Sequence, residues 1–294
     1  MQYEIAMTIT YNYDHPAVGG RHVLHLTPRQ IDQIQEVEQS IVKVSPQPDE
    51  WEKHSDFFEN TQIDIAFNQP HKTISFNVVS KITRFPIEPP TDTSPPLTDM
   101  KAEIKNIRTL GADSPHHFIG PSPRIKATHA VQDYASQLTA NSQSTFEAVK
   151  TINHALYKDL KFDPSATNVD TPYELAFKNR HGVCQDFSHI MIACLRSLNI
   201  PAAYVSGYLR TNPPEGQDRL EGADAMHAWV RVWLGSRMGW LEFDPTNNLI
   251  VSEDHIVIGY GRDYSEISPI KGVLRSEGSQ FSTQSVDVRP VSVK

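Results

Sequence analysis

The sequence predicts an α+β protein, with an N-terminal antiparallel β-sandwich domain followed by a core of helices packed on an antiparallel sheet. Three observations carry this reading. Over residues 1–85 apolar side chains alternate at period two, the signature of strands with one buried face. A proline-rich stretch then breaks all periodicity. From residue 124 the apolar spacing changes to about 3.6, and strand-like runs return only after the helices.

The first strand is read from Tyr3, Ile5, Met7, Ile9, Tyr11 and Tyr13, which alternate with Glu4, Thr8, Thr10 and Asn12. Ile63, Ile65 and Phe67 repeat the pattern, Asn68-Gln69-Pro70-His71 makes a turn, and Ile74, Phe76 and Val78 complete a hairpin. Further strand-like pieces at Val23–Leu26 and Ile41–Val44 predict a sandwich, because one sheet has to cover its apolar face with another layer. Residues 86–123 form a connector: Pro86, Pro89, Pro90, Pro95, Pro96, Pro121 and Pro123 preclude a regular ladder, leaving one short helix near Met100–Ile107.

The core is assigned to residues 124–274. Ile125, Val131, Tyr134, Ala135 and Leu138 suit one helix face. A second helix opens at Ser144-Thr145-Phe146-Glu147, a capping box, and continues through Val149, Ile152 and Leu156. A third starts at Thr171-Pro172-Tyr173-Glu174. The fourth, Cys184–Leu198, carries Phe187, Met191, Cys194, Leu195 and Leu198 and is apolar on most sides, as a central helix should be. Asn199-Ile200-Pro201 stops it, and strands follow at Ala202–Leu209, Met226–Leu234 and Trp240–Asp244. Residues 275–294 are polar with few apolar anchors and are read as a docked or frayed tail.

Composition bounds the function. At 294 residues the chain has room for two domains, since single cores rarely grow beyond roughly 250 residues. The formal charge of -8 leaves no excess of Lys and Arg to neutralise a phosphate backbone, which argues against nucleic acid as a partner. No apolar run approaches the ~20 residues of a membrane span. The start Met1-Gln2-Tyr3-Glu4-Ile5 has neither the basic nor the apolar stretch of a secretory signal, so the expectation is a cytoplasmic protein. Peptide or protein substrates stay open, and oligomeric state is not read from sequence.

The two cysteines, Cys184 and Cys194, lie about 15 Å apart along one helix axis at 1.5 Å per residue, too far for a disulfide. With no CxxC pair, neither structural zinc nor another metal or cofactor is expected. Cys194 sits on the apolar stripe and reads as core. Cys184 stands at the opening of its helix, after Gly182, where unpaired N–H groups and the positive dipole end favour an anion such as a thiolate. His227 begins a strand, and after the Gly235–Gly239 loop the next strand returns Asp244 alongside it. A strand histidine or aspartate taken singly is usually structural. Together with a helix-capping cysteine the three read as nucleophile, base and orienting carboxylate. Gln185 and His181 flank the nucleophile, and Tyr208 and Trp229 stand on the strands, as candidate substrate-binding residues.

Motifs add a resemblance. Gly182-Val183-Cys184-Gln185-Asp186-Phe187-Ser188-His189, Gly207-Tyr208-Leu209, His227-Ala228-Trp229-Val230 and Phe243-Asp244-Pro245-Thr246-Asn247-Asn248, in that order, resemble the bacterial transglutaminase-like superfamily. Leu24–Pro28 and Pro70-His71 are similar to the β-rich region that precedes this core in candidate bacterial cysteine proteases. The resemblance implies a papain-like core with Cys184, His227 and Asp244 as the triad. The expected function is thiol-dependent amide hydrolysis or acyl transfer on peptide or protein substrates through an acyl-enzyme, as in a cysteine protease or amidase. The alternatives are a transglutaminase that cross-links or deamidates glutamine, and a non-catalytic protein-binding module.

Overall fold

The first strand organises half of the molecule. The computed structural model describes residues 1–88, 91–211 and 224–291. Strand β1 (Gln2–Leu24) is long enough to belong to both layers of the N-terminal sandwich. Its first part pairs with β5 (His71–Arg84) on one side and, through eleven residue pairs from Tyr3↔Pro290 to Tyr13↔Gln280, with β14 (Gln280–Pro290) on the other. The register then shifts between Asn12 and Ala17, and its last residues pair with β4 (Thr61–Phe67) and β13 (Ile270–Arg275). Strands β2 (Gln35–Ser45) and β3 (Glu50–Ser55) extend the order to β2-β5-β1-β4-β3. Alternation does the packing: Tyr3, Ile5, Met7 and Ile9 all point into the core, joined by Leu24, Ile63, Phe76 and Val78.

The C-terminus departs from the sequence reading. The sequence pattern marks residues 275–294 as a tail and places residues 270–274 in the core, yet β13 and β14 complete the N-terminal sheets. Of β14 only Val286 and Val288 face the core, while Gln280–Ser285 stay exposed, so the apolar alternation is too short to announce a strand.

The second half builds a five-stranded antiparallel sheet in the order β11-β10-β9-β8-β12. These are β8 (Ala202–Leu209), β9 (Ala225–Trp233), β10 (Trp240–Asp244), β11 (Leu249–Ile250) and β12 (His255–Gly261). Short parallel strands β6 (Lys161–Phe162) and β7 (His181–Gly182) lie among the helices. The helices are α1 (Met100–Asn106), α2 (His129–Thr139), α3 (Thr145–Asp159), α4 (Tyr173–Asn179), α5 (Cys184–Ser197) and the short α6 (Tyr264–Ile267). The predicted cap of α3 forms, with Ser144 Oγ accepting from Glu147 N–H at 3.1 Å.

Helix α5 is the hub of the core. Every residue from Gln185 to Arg196 is buried, and its apolar side chains pack with α2, α3, α4 and one face of the sheet. Full burial of each Leu, Ile, Phe or Met stabilises by roughly 1.5–3 kcal/mol, so this contact surface fixes where α5 begins and points. The buried Arg196 guanidinium on it is satisfied: it donates to the carbonyls of Phe118, Gly120, Ala202 and Arg262 and to Ser122 Oγ. The opposite face of the sheet meets the sandwich, where Tyr208, Ile256 and Ile258 join the N-terminal core. No helix among the described residues is long and apolar enough to cross a membrane.

Candidate active site

Cys184 is the first residue of α5 because three neighbours stop the chain from starting the helix earlier. Val183 is extended (φ -106°, ψ 177°), and its N–H is taken by the Asp186 carboxylate, Oδ2 at 2.8 Å. Thr167 Oγ1 donates to the same oxygen at 2.5 Å. Burial pushes the Asp186 carboxyl above its ordinary value, and these two hydrogen bonds oppose the rise. Gly182 leaves room for this carboxylate, since a Cβ there would stand 2.6 Å from Asp186 Oδ2 and 2.8 Å from its Cβ. The glycine acts here by close approach rather than by breaking the helix. The backbone N–H groups of Cys184 and Gln185, in the first turn of α5, have no helical carbonyl behind them.

Cys184 is partly exposed, whereas Cys194 is fully buried, with its thiol pushed up to about 12 by desolvation. His227, on β9 opposite Gly207 of β8, faces Cys184, whose interaction helps raise the imidazole. Its Nε2–H donates to Asp244 Oδ2 at 2.8 Å, which leaves Nδ1 for the thiol. Asp244 ends β10 and is completely buried. It accepts five hydrogen bonds. Oδ1 takes the N–H groups of Thr246 (2.9 Å) and Asn247 (3.2 Å) in an Asx-type turn. Oδ2 takes His227, Asn247 Nδ2 at 2.7 Å and His255 Nε2 at 2.9 Å.

The electrostatics follow from this geometry. Burial works against the charge on His227, but the hydrogen bonds and charges of Asp244 and Cys184 outweigh it and push the imidazole up to about 10. Burial likewise opposes ionisation of Asp244, yet His227 and His255 hold its carboxyl far below the usual carboxylate range. His227, Asp244 and His255 bring three potential ligand atoms within 4.8 Å of one another. The separations of 2.8 and 2.9 Å are those of N–H···O bonds and are shorter than the roughly 3.3 Å between ligands of one tetrahedral zinc, so the cluster is a hydrogen-bonded one.

The structure thus brings Cys184, His227 and Asp244 together and separates the four candidate substrate-binding residues. His181, in β7, is half-buried beside the nucleophile segment, with Nδ1 3.8 Å from Asp163 Oδ2. Gln185 is buried and turned away, Nε2 donating to Val169 O at 3.1 Å. Tyr208 and Trp229 are corrected: both are 0% exposed and line no cleft. Tyr208 OH donates to Leu26 O at 2.7 Å and pins the sheet to the sandwich. Trp229 Nε1 donates to Glu242 Oε2 at 2.7 Å, and its ring stacks on His227 with centroids 6.1 Å apart. Its ring fills the space above Gly207, where a Cβ would meet Trp229 at 2.2 Å. Asn247 and His255 were missed by sequence reasoning. Asn247 had a signal, the Asp-Pro-Thr-Asn turn, whereas His255 is a single histidine opening an apolar strand and had none. A concavity of about 910 Å³ lies over the sandwich between Trp51, Phe57 and Val273, and neither Cys184 nor His227 lines it.

Helices packed on an antiparallel sheet, with Cys184 opening the central helix and His227 and the buried Asp244 on the sheet, make an α+β papain-like fold. Residues 132–245 match the model of the transglutaminase-like superfamily, and residues 3–83 match that of the bacterial transglutaminase-like N-terminal region. An uncharacterized protein of Mycobacterium tuberculosis is 31% identical over 294 residues, covering 98% of this chain and 93% of that protein. One from Mycobacterium leprae is 27% identical, covering 92% and 91%. The fold is similar to the crystal structure of a candidate cysteine protease from Cytophaga hutchinsonii, with a TM-score of 0.76 at 20% identity over 100% of this chain and 92% of that one. The chain belongs to the transglutaminase-like superfamily.

Proposed function

We propose that this protein is a thiol-dependent amide hydrolase of the cysteine protease or amidase type, acting on peptide or protein substrates through an acyl-enzyme. The observation that carries the reading is the order of contacts at one ring: His227 turns Nε2 to Asp244 and keeps its other edge for Cys184 at the start of α5. The Cys184 thiolate attacks the amide carbonyl carbon and forms a C–S bond, and the oxyanion meets the N–H groups of Cys184 and Gln185. His227 Nδ1–H protonates the amine nitrogen as the C–N bond breaks. Water then attacks the thioester and gives its proton to His227, and the C–S bond breaks to release the acid and the thiolate. Asp244 holds the ring in the tautomer these steps require.

Mass spectrometry of a glutamine-containing peptide incubated with the protein and a primary amine tests the reaction, because cleavage, deamidation and amine addition leave different masses. Cleavage or loss of ammonia that disappears in Cys184→Ala is the expected result. Amine addition would move the assignment to a transglutaminase, and an inert protein with an unreactive Cys184 would sink the enzymatic reading.

A further inference from the structure

Nothing in the mechanism above uses His255, although it donates to the same carboxylate oxygen as His227. Asp244 Oδ2 accepts His227 Nε2–H at 2.8 Å and His255 Nε2–H at 2.9 Å. We propose that His255 is a positioning residue of this site, which draws on Asp244 Oδ2 and thereby limits the carboxylate's hold on the His227 proton, leaving that proton transferable to the leaving amine. The inference rests on the thiol-enzyme reading.

His255 acts through Asp244 because it reaches nothing else in the site. It opens β12, two strands away from β9 across β8, and is 2% exposed, so no substrate touches it. Its ring stands edge-on to Trp229 at 5.1 Å and 83°, and its centroid is 5.8 Å from that of His227. An acceptor's basicity is divided among its donors, so each further N–H on Oδ2 weakens what the oxygen offers to the others. With His227 as its main donor, a fully buried carboxylate would bind the imidazolium so firmly that giving up the proton became costly, and a general acid works best when its proton is neither too tightly nor too loosely held. A histidine that merely filled space would leave that balance alone.

The titratable and charged groups facing this cluster come from four elements: Cys184 from α5, His227 from β9, Asp244 from β10 and His255 from β12. Strand β8 presents the uncharged Gly207 opposite His227. Glu242, behind Trp229, is engaged by Trp229 Nε1 and Tyr260 OH, with Arg84 Nη2 at 4.0 Å. Asp254, next to His255, is taken by Arg210 and Tyr3.

The test is the rate of Cys184 alkylation by iodoacetamide in the full chain, followed from about pH 6 to about pH 11, whose alkaline inflection reports loss of the His227 proton. His255→Phe removes the donor and keeps a ring against Trp229, and His255→Met repeats the test with a flexible side chain if the first variant does not fold. Both should move the inflection upward by about half to one pH unit, a three- to tenfold tighter hold on the proton. His255→Gln keeps an N–H donor and should stay within about 0.2 of the native value. An inflection that stays put or falls in folded Phe or Met variants overturns the proposal. A native profile identical to that of His227→Ala would instead overturn the thiol-enzyme reading beneath it, so the two failures are told apart.

Discussion

Replacing Asp244 by asparagine separates the part of the site's chemistry that depends on a full negative charge from the part that depends on shape. The side chain keeps its size, and Thr246 and Asn247 can still donate to the remaining oxygen at the Oδ1 position. At the Oδ2 position an amide NH₂ would face three donors, His227, His255 and Asn247. In the native protein the imidazole stands at about 10 against an ordinary 6.5, which is about 5 kcal/mol of preference for the imidazolium, shared between Asp244 and Cys184. Without the carboxylate, burial is opposed by Cys184 alone, and the ring returns to about 6.5 or below. At pH 7.5 the imidazolium population then drops from nearly all to about a tenth, so alkylation of Cys184 by iodoacetamide slows at least about tenfold. Amide turnover falls further, by about 10³- to 10⁴-fold, because the ring also loses its fixed tautomer. Intact-mass spectrometry reads the alkylation directly, with circular dichroism to establish that the variant is folded. A folded variant alkylated within twofold of the native rate at pH 7.5 would refute the coupling.

Three further outcomes are expected. Mild iodoacetamide treatment should label Cys184 in preference to Cys194, whose thiol is buried and pushed up to about 12; equal labelling in the native protein would contradict the site. Gly182→Ala forces a methyl against the Asp186 carboxylate, costing about 1–3 kcal/mol by urea unfolding and slowing Cys184 alkylation; a variant of native stability would mean that Asp186 moves freely. Stability should also depend on pH in a defined sense. The raised His227 contributes fully below its ordinary 6.5 and loses that contribution as pH rises through about 10, whereas the depressed Asp244 contributes above the ordinary carboxylate range and loses it as pH falls below. Urea midpoints should therefore decline from about pH 6.5 toward about pH 10, and Asp244→Asn should flatten that decline; a flat native profile would remove the linkage.

The grouping of Cys184, His227 and Asp244 was legible because each carries a local mark. Cys184 follows a glycine and opens an apolar helix, while His227 and Asp244 flank a short hairpin whose strands, Ala225–Trp233 and Trp240–Asp244, have clear apolar content. Tyr208 and Trp229 were misplaced because β8 is buried on both faces almost throughout and β9 nearly so. Where both faces of a sheet are covered, alternation disappears and sequence cannot say which side chain looks into a cleft. His255 was hidden for the same reason, since β12 is buried along its whole length and a lone histidine there resembles any packed residue. Strand β3 escaped for the opposite reason. All six of its residues are exposed, so it has no apolar face to reveal it.

The pairing of β1 with β13 and β14 has a consequence for how the chain matures. β1 leaves the ribosome long before β13 and β14, so the sandwich keeps open backbone edges until those two strands have been made. Contacts of such long sequence separation form slowly. The same late strand grips the segment leading into β9: Asp224 N–H donates to Val286 O at 3.1 Å, and Val288 N–H donates to Asp224 Oδ2 at 2.6 Å. The segment leading into the imidazole-bearing strand gains this grip only once β14 has been made, after β8, β9 and β10 have already paired.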